Sequence, residues 1–147
     1  MKNFFLLLLI ILISLTACSK NVDVLSIDLR EHKNLAMHIH PVVEIEVKGE
    51  KQEIPSDIGI SDEGMRVIHT HESDGTLHIE SPVLQQFFLK DFFSVWNRNF
   101  NSTCIFDSCI DDNHTLKVFV NDIETDKYGD LLLQDKDNIK IVYAKIE

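Results

Sequence analysis

The sequence predicts an α+β domain in which β-hairpins are followed by one main helix and further C-terminal strands. Apolar and polar residues alternate over residues 37–47 and again over 67–81, as in strands with one buried face. Large apolar side chains then recur at helical spacing over 88–100, and apolar segments return near the C-terminus. Hairpins, a helix and more strands in this order are typical of an α+β fold.

The first predicted strand covers residues 37–47, where apolar side chains occupy odd positions and His38 and His40 occupy even ones. Lys48 and Gly49 begin a turn, and residues 51–54 can return as the second strand of a hairpin. Pro55 then ends the pairing, and a polar loop continues to about residue 64.

The second predicted hairpin covers residues 67–81, because an Asp-Gly pair at Asp74 and Gly75 lies between two alternating segments. Counting outward from a two-residue turn pairs His71 with His78. The same count pairs His69 with Glu80, so one face carries His69, His71, His78 and Glu80. Cross-strand neighbours lie about 5 Å apart, so this register predicts a histidine cluster.

The helix is predicted over residues 89–99, and its aromatic stripe is interpreted as core. A loop over 101–114 follows, closed by a cysteine pair. A strand is expected over 116–120 and a turn region over 121–129. A short strand or bend (130–133) and a final strand (139–146) complete the chain.

The composition excludes several classes of protein. Of 147 residues, 44% are hydrophobic, with only 5 Gly and 3 Pro, which excludes a disordered or collagen-like chain. There are 14 Lys and Arg but 24 Asp and Glu, so the net charge is -10. Nucleic acid is not expected as a partner, because phosphate binding requires excess basic residues.

The first 17 residues predict a signal peptide. A basic start precedes an apolar run over residues 4–13, which is too short for a permanent membrane span. The sequence LTAC that ends at Cys18 resembles the bacterial lipobox. That resemblance implies a lipoprotein signal peptide over 1–17 and lipidation of Cys18, with a tether over 18–34. The remaining length predicts a single His-rich α+β domain over 35–147.

A lipid anchor at Cys18 would attach the domain to a membrane of the cell envelope, facing the periplasm or the exterior. By resemblance to bacterial sorting patterns, Ser19 favours the outer membrane. In that oxidising compartment, Cys104 and Cys109 form an even pair, which predicts a disulfide. A metal or redox pair is the alternative, although four intervening residues differ from the two of a redox CxxC motif.

Two family resemblances follow from short motifs. The tail, VFVND followed by YGDLLLQDKDNIKIVY, resembles the end of ubiquitin-like β-grasp proteins of the ThiS and MoaD type, which implies a central final strand. The chain lacks their terminal Gly-Gly, so a sulfur-carrier role is not implied. The motifs HIHP, HTH and LHIESP also resemble a little-described group of small extracytoplasmic archaeal and bacterial domains, which implies a shared histidine site.

The histidines predict a transition-metal site, with a solvated polar sheet face and a histidine-dependent pH switch as the alternatives. Imidazole-rich sites without thiolate suit Cu(II), Zn(II) or Ni(II), with copper slightly ahead of zinc here. Glu80 is either a ligand or the acceptor that orients a ligand histidine. His32 and His114 are interpreted as ordinary surface or hydrogen-bonded residues. The candidate metal ligands are His71, His78, His38, His40, His69 and Glu80.

Three functional classes remain open at this level. The first is an envelope lipoprotein that binds copper or zinc for metal handling or storage. The second is a small zinc-type hydrolase or hydratase, in which three histidines leave a coordination position for water. The third is a structural or partner-binding lipoprotein without metal. Binding is favoured over catalysis because no GxSxG or HExxH motif is present. An envelope protein partner is compatible with each class, and the oligomeric state stays open.

Overall fold

The structure is a computed structural model that describes residues 23–146. The predicted signal peptide, Cys18 and the first residues of the predicted tether lie outside this range. The described chain contains the helix α1 (Leu89–Trp96) and three short 3-10 helices, Val24–Ser26, Leu29–Glu31 and Tyr128–Asp130. Its strands are β1 (Met37–Ile39), β2 (Val42–Val47), β3 (Glu50–Gln52), β4 (Ile60–Ser61), β5 (Gly64–Met65), β6 (Ile68–His69), β7 (His78–Ser81), β8 (Cys104–Ile105), β9 (Ser108–Cys109), β10 (His114–Val120), β11 (Ile123–Thr125) and β12 (Asn138–Lys145).

These elements confirm the α+β class. The larger sheet has the strand order β11-β10-β12-β2-β3, with β12 and β2 parallel and the other pairs antiparallel. The last strand therefore lies at the centre, as the β-grasp resemblance implies, although membership of that group stays a prediction. A smaller sheet has the order β1-β7-β6 and carries the histidines.

One hydrophobic core joins the two sheets and the helix. Alternate residues of the central strands are buried, as the period of two predicts. The aromatic stripe of α1 contributes Phe92 and Phe93, which confirms its interpretation as core. The largest of the buried apolar side chains are Phe87, Phe92, Phe93, Ile45, Ile68, Leu77, Ile79, Leu89, Ile105, Ile139 and Ile141.

The prediction of one continuous strand over 37–47 was wrong, because the segment forms two strands, β1 and β2. Pro41 separates β1 from β2 and has no N–H with which to continue a ladder. The backbone N–H of His40 instead donates to Asp135 Oδ1 at 2.9 Å. The break sends β1 into the histidine sheet and β2 into the larger sheet.

The first hairpin is confirmed, with its returning strand one residue earlier than predicted. Val47 pairs with Glu50 across a two-residue turn, and Lys48 and Gly49 both have positive φ, at 56° and 83°. Such turns match the right-handed twist of a hairpin.

The register predicted for the second hairpin was wrong by two residues. His69, not His71, pairs with His78, and Ile68 pairs with Ile79. Because side chains alternate with a period of two, this shift keeps the histidines on their predicted face. The connection between β6 and β7 is therefore longer than a two-residue turn.

Non-local hydrogen bonds account for this wider connection. Thr70 pairs with the segment before β4: its N–H donates to Ile58 O at 3.1 Å, and its carbonyl accepts from Asp57 N at 3.0 Å. On the other arm, Val43 N donates to Gly75 O at 2.9 Å. Near the turn, the backbone groups of both arms of the expected hairpin are thus bonded to other segments and not to each other.

The remaining differences lie at element ends and in short hairpins. The helix stops at Trp96 rather than residue 99, because Asn97 adopts the left-handed conformation with φ 56°. The predicted 121–129 turn region contains the strand β11. The predicted 101–114 loop contains the β8-β9 hairpin, in which Cys104 faces Cys109 and the predicted disulfide is present.

Part of the predicted tether packs on the domain. Leu29 is buried, and Asp28 Oδ1 accepts a hydrogen bond from Met65 N at 3.0 Å. A side-chain hydrogen bond from Arg30, with the one from Met65, holds the pKa of Asp28 well below its usual range. The folded unit therefore extends before residue 35. Among residues 23–146, no helix has the length and apolarity needed to cross a membrane.

Candidate metal centre

The histidine face of the small sheet follows from its pairing. His38 faces Glu80 across β1 and β7, and His69 faces His78 across β6 and β7. His78 and Glu80 are two residues apart on β7, so their side chains project from the same face. His40 and His71 lie two residues beyond His38 and His69 and continue this face past the strand ends. The sheet thus brings all six predicted ligand candidates together.

Two groups of three histidines share one member. His38, His40 and His78 each offer a nitrogen, and these lie within 4.8 Å of one another; His69, His71 and His78 do the same. Two nitrogens on one zinc ion lie at most about 4 Å apart, since each Zn–N bond is about 2 Å. Side-chain adjustments of about 1 Å are therefore enough for either group to hold an ion.

His78 stands between two pairs of rings. His40 and His71 each meet His78 nearly edge to face, with centroid distances of 4.7 Å and 4.6 Å. His38 contacts His40 at 4.5 Å, and His69 contacts His71 at 4.8 Å. The cluster is therefore a chain of rings with His78 at its centre.

His69 is the most unusual member, because its ring is fully buried and only one of its two ring nitrogens has a hydrogen-bond partner among the described residues. Its Nδ1 lies 2.9 Å from Arg66 O, and a carbonyl can only accept, so Nδ1 carries the hydrogen. In the neutral ring Nε2 then carries a lone pair, and this buried atom has no hydrogen-bond partner among the described residues. A ring that donates one N–H to a carbonyl and directs a free lone pair elsewhere is the arrangement typical of metal-ligating histidine.

Burial also favours the neutral form that metal binding requires. It lowers the pKa of His69, since a charged imidazolium loses hydration in the interior. Burial likewise lowers the pKa of His78, and the neighbouring His71 and His40 lower it further. The lowered pKa values of His69 and His78 thus favour the neutral imidazole, whose free nitrogen lone pair can bind a metal ion.

Glu80 lies next to His38 of one group and near His78, which both groups share. Its Oε1 lies 3.1 Å from His38 Nε2 and 3.9 Å from His78 Nδ1. The predicted pairing of Glu80 with His69 was wrong, because His69 faces His78 across β6 and β7. Glu80 instead faces His38 on β1, the strand on the other side of β7. In this position the carboxylate can orient His38 or act as an oxygen ligand.

Comparisons with known protein families, with curated proteins and with solved structures found no match. The interpretation of the site therefore rests on its chemistry.

Sequence reasoning missed Asp135 as part of this centre. Its Oδ1 accepts the His40 N–H at 2.9 Å and lies 3.9 Å from His40 Nδ1. Asp135 is 95 residues from His40 and belongs to the segment before β12. The sequence DKD before a strand does not predict this contact, because no local pattern relates residues so far apart in the chain.

The two other histidines described by the structure lie outside both groups, as expected. His32 is exposed. His114 lies 2.9 Å from Asp111 Oδ1 and stacks on Tyr143 at a centroid distance of 5.2 Å. Cys104 and Cys109 are joined as a disulfide, so neither provides a thiolate. The donors of the centre are accordingly imidazole nitrogens with one or two carboxylates nearby.

Proposed function

We propose that this protein binds a divalent transition metal, Cu(II) or Zn(II), through its histidine cluster, in metal handling or storage at the cell envelope. The observation that supports the proposal is the Nε2 of His69, which is buried without a partner among the described residues and belongs to one of the two three-histidine groups. A buried polar atom without a partner is costly, and a metal ion would supply the missing partner.

The donor set supports these ions over calcium or magnesium. Imidazole nitrogen suits copper and zinc, whereas calcium and magnesium take oxygen ligands. In a given site of nitrogen donors, Cu(II) generally binds more tightly than Zn(II). We expect both to bind, with copper ahead.

Exposure supports exchange of the ion with the surroundings. His38 is 49% exposed and His71 is also exposed, while His69 is fully buried. An ion can therefore reach the cluster from solvent or from a partner without unfolding of the domain. The envelope location rests on the lipobox-like sequence at Cys18 and belongs to the same proposal.

The test is a metal titration of protein purified without a histidine tag and stripped with a chelator. Calorimetry with Cu(II) and with Zn(II) should give at least one tight site per chain, and bound ion should raise the thermal unfolding temperature. His78→Ala should lose this affinity, while His114→Ala, the matched control, should keep it. Equal, weak binding by both variants and the intact protein would contradict the proposal.

A further inference from the structure

Both histidine groups contain His78, and one nitrogen of His78 can bind only one metal ion at a time. Among the described residues, every ring contact between the two groups runs through His78. A single ion beside His78 can therefore be completed from one side by His38 and His40, or from the other by His69 and His71.

The two sides differ in their access to solvent. The side chains of His38 and His40 are 49% and 38% exposed. The other side combines the exposed His71 with His69, which is 0% exposed and whose Nδ1 donates a hydrogen bond to Arg66 O. We name the pair His38 and His40 the outer pair, and the pair His69 and His71 the inner pair.

We propose that His78 is shared by two alternative positions for one ion, so that the ion enters beside the outer pair and moves to the inner pair by ligand exchange. This inference rests on the proposed metal-binding function. His78 remains bound throughout the move, while the two outer nitrogens are replaced by the two inner ones. No bond other than these coordination bonds changes, and no electron is transferred.

The burial of His69 gives the move its direction. Within residues 23–146, its Nε2 is the cluster nitrogen that is buried without a hydrogen-bond partner, so it gains most from an ion. Both rings of the outer pair are open to water, and Glu80 Oε1 also lies 3.1 Å from His38 Nε2. The outer pair thus suits capture from a donor, and the inner pair suits retention.

The experiment removes one pair at a time and measures Zn(II) affinity by calorimetry on the full, untagged protein. His38→Ala with His40→Ala leaves the inner position, and His69→Ala with His71→Ala leaves the outer one. The variant that keeps the inner pair should bind within about tenfold of the intact protein. The variant that keeps the outer pair should bind more weakly than that, but more tightly than His78→Ala. Loss of a residue that only orients a ligand lowers metal affinity by about 10–100-fold. His78→Ala should lower it by more than this, because it removes a ligand from both positions.

A second measurement avoids the risk that loss of the buried His69 unfolds the sheet. His71→Ala removes only an exposed ring of the inner pair, and Cu(II) electron paramagnetic resonance reports the ligand set directly. The intact protein should give two overlapping spectra. His71→Ala should give only the outer one, and the His38→Ala, His40→Ala double variant only the inner one.

The outcomes separate this inference from the proposed function. If removal of one pair abolishes tight binding as fully as His78→Ala does, the protein binds metal at a single position and the inference is wrong. Two ions of equal affinity per chain would also contradict it. If the intact protein binds neither ion tightly, the proposed function itself fails.

Discussion

His69 and His78 face each other directly across β6 and β7, with ring centroids 5.5 Å apart and ring planes inclined by 18°. One ring is fully buried, whereas the side chain of the other is 24% exposed. The two stacked rings therefore extend from the buried core to the solvent-exposed part of the histidine cluster. Its chemistry leads to the first prediction.

Metal-free protein should lose stability when the pH falls below about 6.5, the ordinary pKa of histidine. Burial lowers the pKa of His69 in the folded state, so the unfolded chain binds more protons on acidification. The contribution is complete above the unfolded pKa and is lost as the pH falls through the folded one. Urea unfolding of chelator-treated protein across this range measures the effect. His69→Leu should reduce the pH dependence, and an unchanged dependence would refute this account of His69.

Asp135→Ala should weaken metal binding although Asp135 is outside the two three-histidine groups. The substitution removes the acceptor that holds the His40 backbone at the end of β1. Loss of a supporting contact of this kind costs about 10–100-fold in affinity. Calorimetric titration with Zn(II) checks it, with Asp126→Ala as the control at a 92% exposed carboxylate. Equal affinities in the two variants would exclude a positioning role for Asp135.

Thr70→Val should destabilise the fold by about 1–3 kcal/mol, the usual cost of leaving buried polar groups unsatisfied. Thr70 is fully buried, and its hydroxyl donates to Pro55 O at 2.8 Å and accepts from Ile58 N at 3.0 Å. Chemical denaturation gives the difference. Thr115→Val, at a half-buried position on β10, should change stability much less. A similar loss in both variants would mean that these hydrogen bonds do not hold the connection.

The Cys104–Cys109 disulfide should contribute modestly to stability. It closes a short loop, with a sequence separation of 5, so the expected gain is about 2 to 3 kcal/mol. Comparison of urea unfolding for the intact protein and a Cys104→Ser, Cys109→Ser variant measures it. Thiol titration of the unfolded, unreduced protein should find neither cysteine free. Two reactive thiols would instead indicate a metal or redox role for the pair.

Cys18→Ser should release the protein from membranes, if the lipobox-like sequence directs lipidation as we propose. Acylation requires the sulfur of Cys18, and several acyl chains are sufficient for stable anchoring. Fractionation of cells that produce the intact protein and the variant compares the two. Membrane association of the Ser variant that still requires detergent for release would contradict the lipoprotein prediction.

The sequence by itself determined the fold class, the disulfide pair and the face on which the histidines lie. These features depend on local patterns. Alternation with a period of two places His38 and His40 on one side of their strand, whatever that strand pairs with. The aromatic spacing of α1 likewise predicts a buried stripe, because helix geometry alone aligns those side chains.

Only the tertiary structure decided which histidines meet. The Asp74-Gly75 pair predicted a tight turn, but Thr70 bonds to Ile58 and Gly75 bonds to Val43, which displaces the pairing by two residues. Contacts of Asp135 with His40 and of Glu80 with His38 similarly join segments far apart in the chain. Each backbone group that bonds to a distant segment is no longer available for the local turn, so the pairing depends on the whole fold. The burial of His69, on which the metal proposal depends, is a property of the packed core and has no local signature.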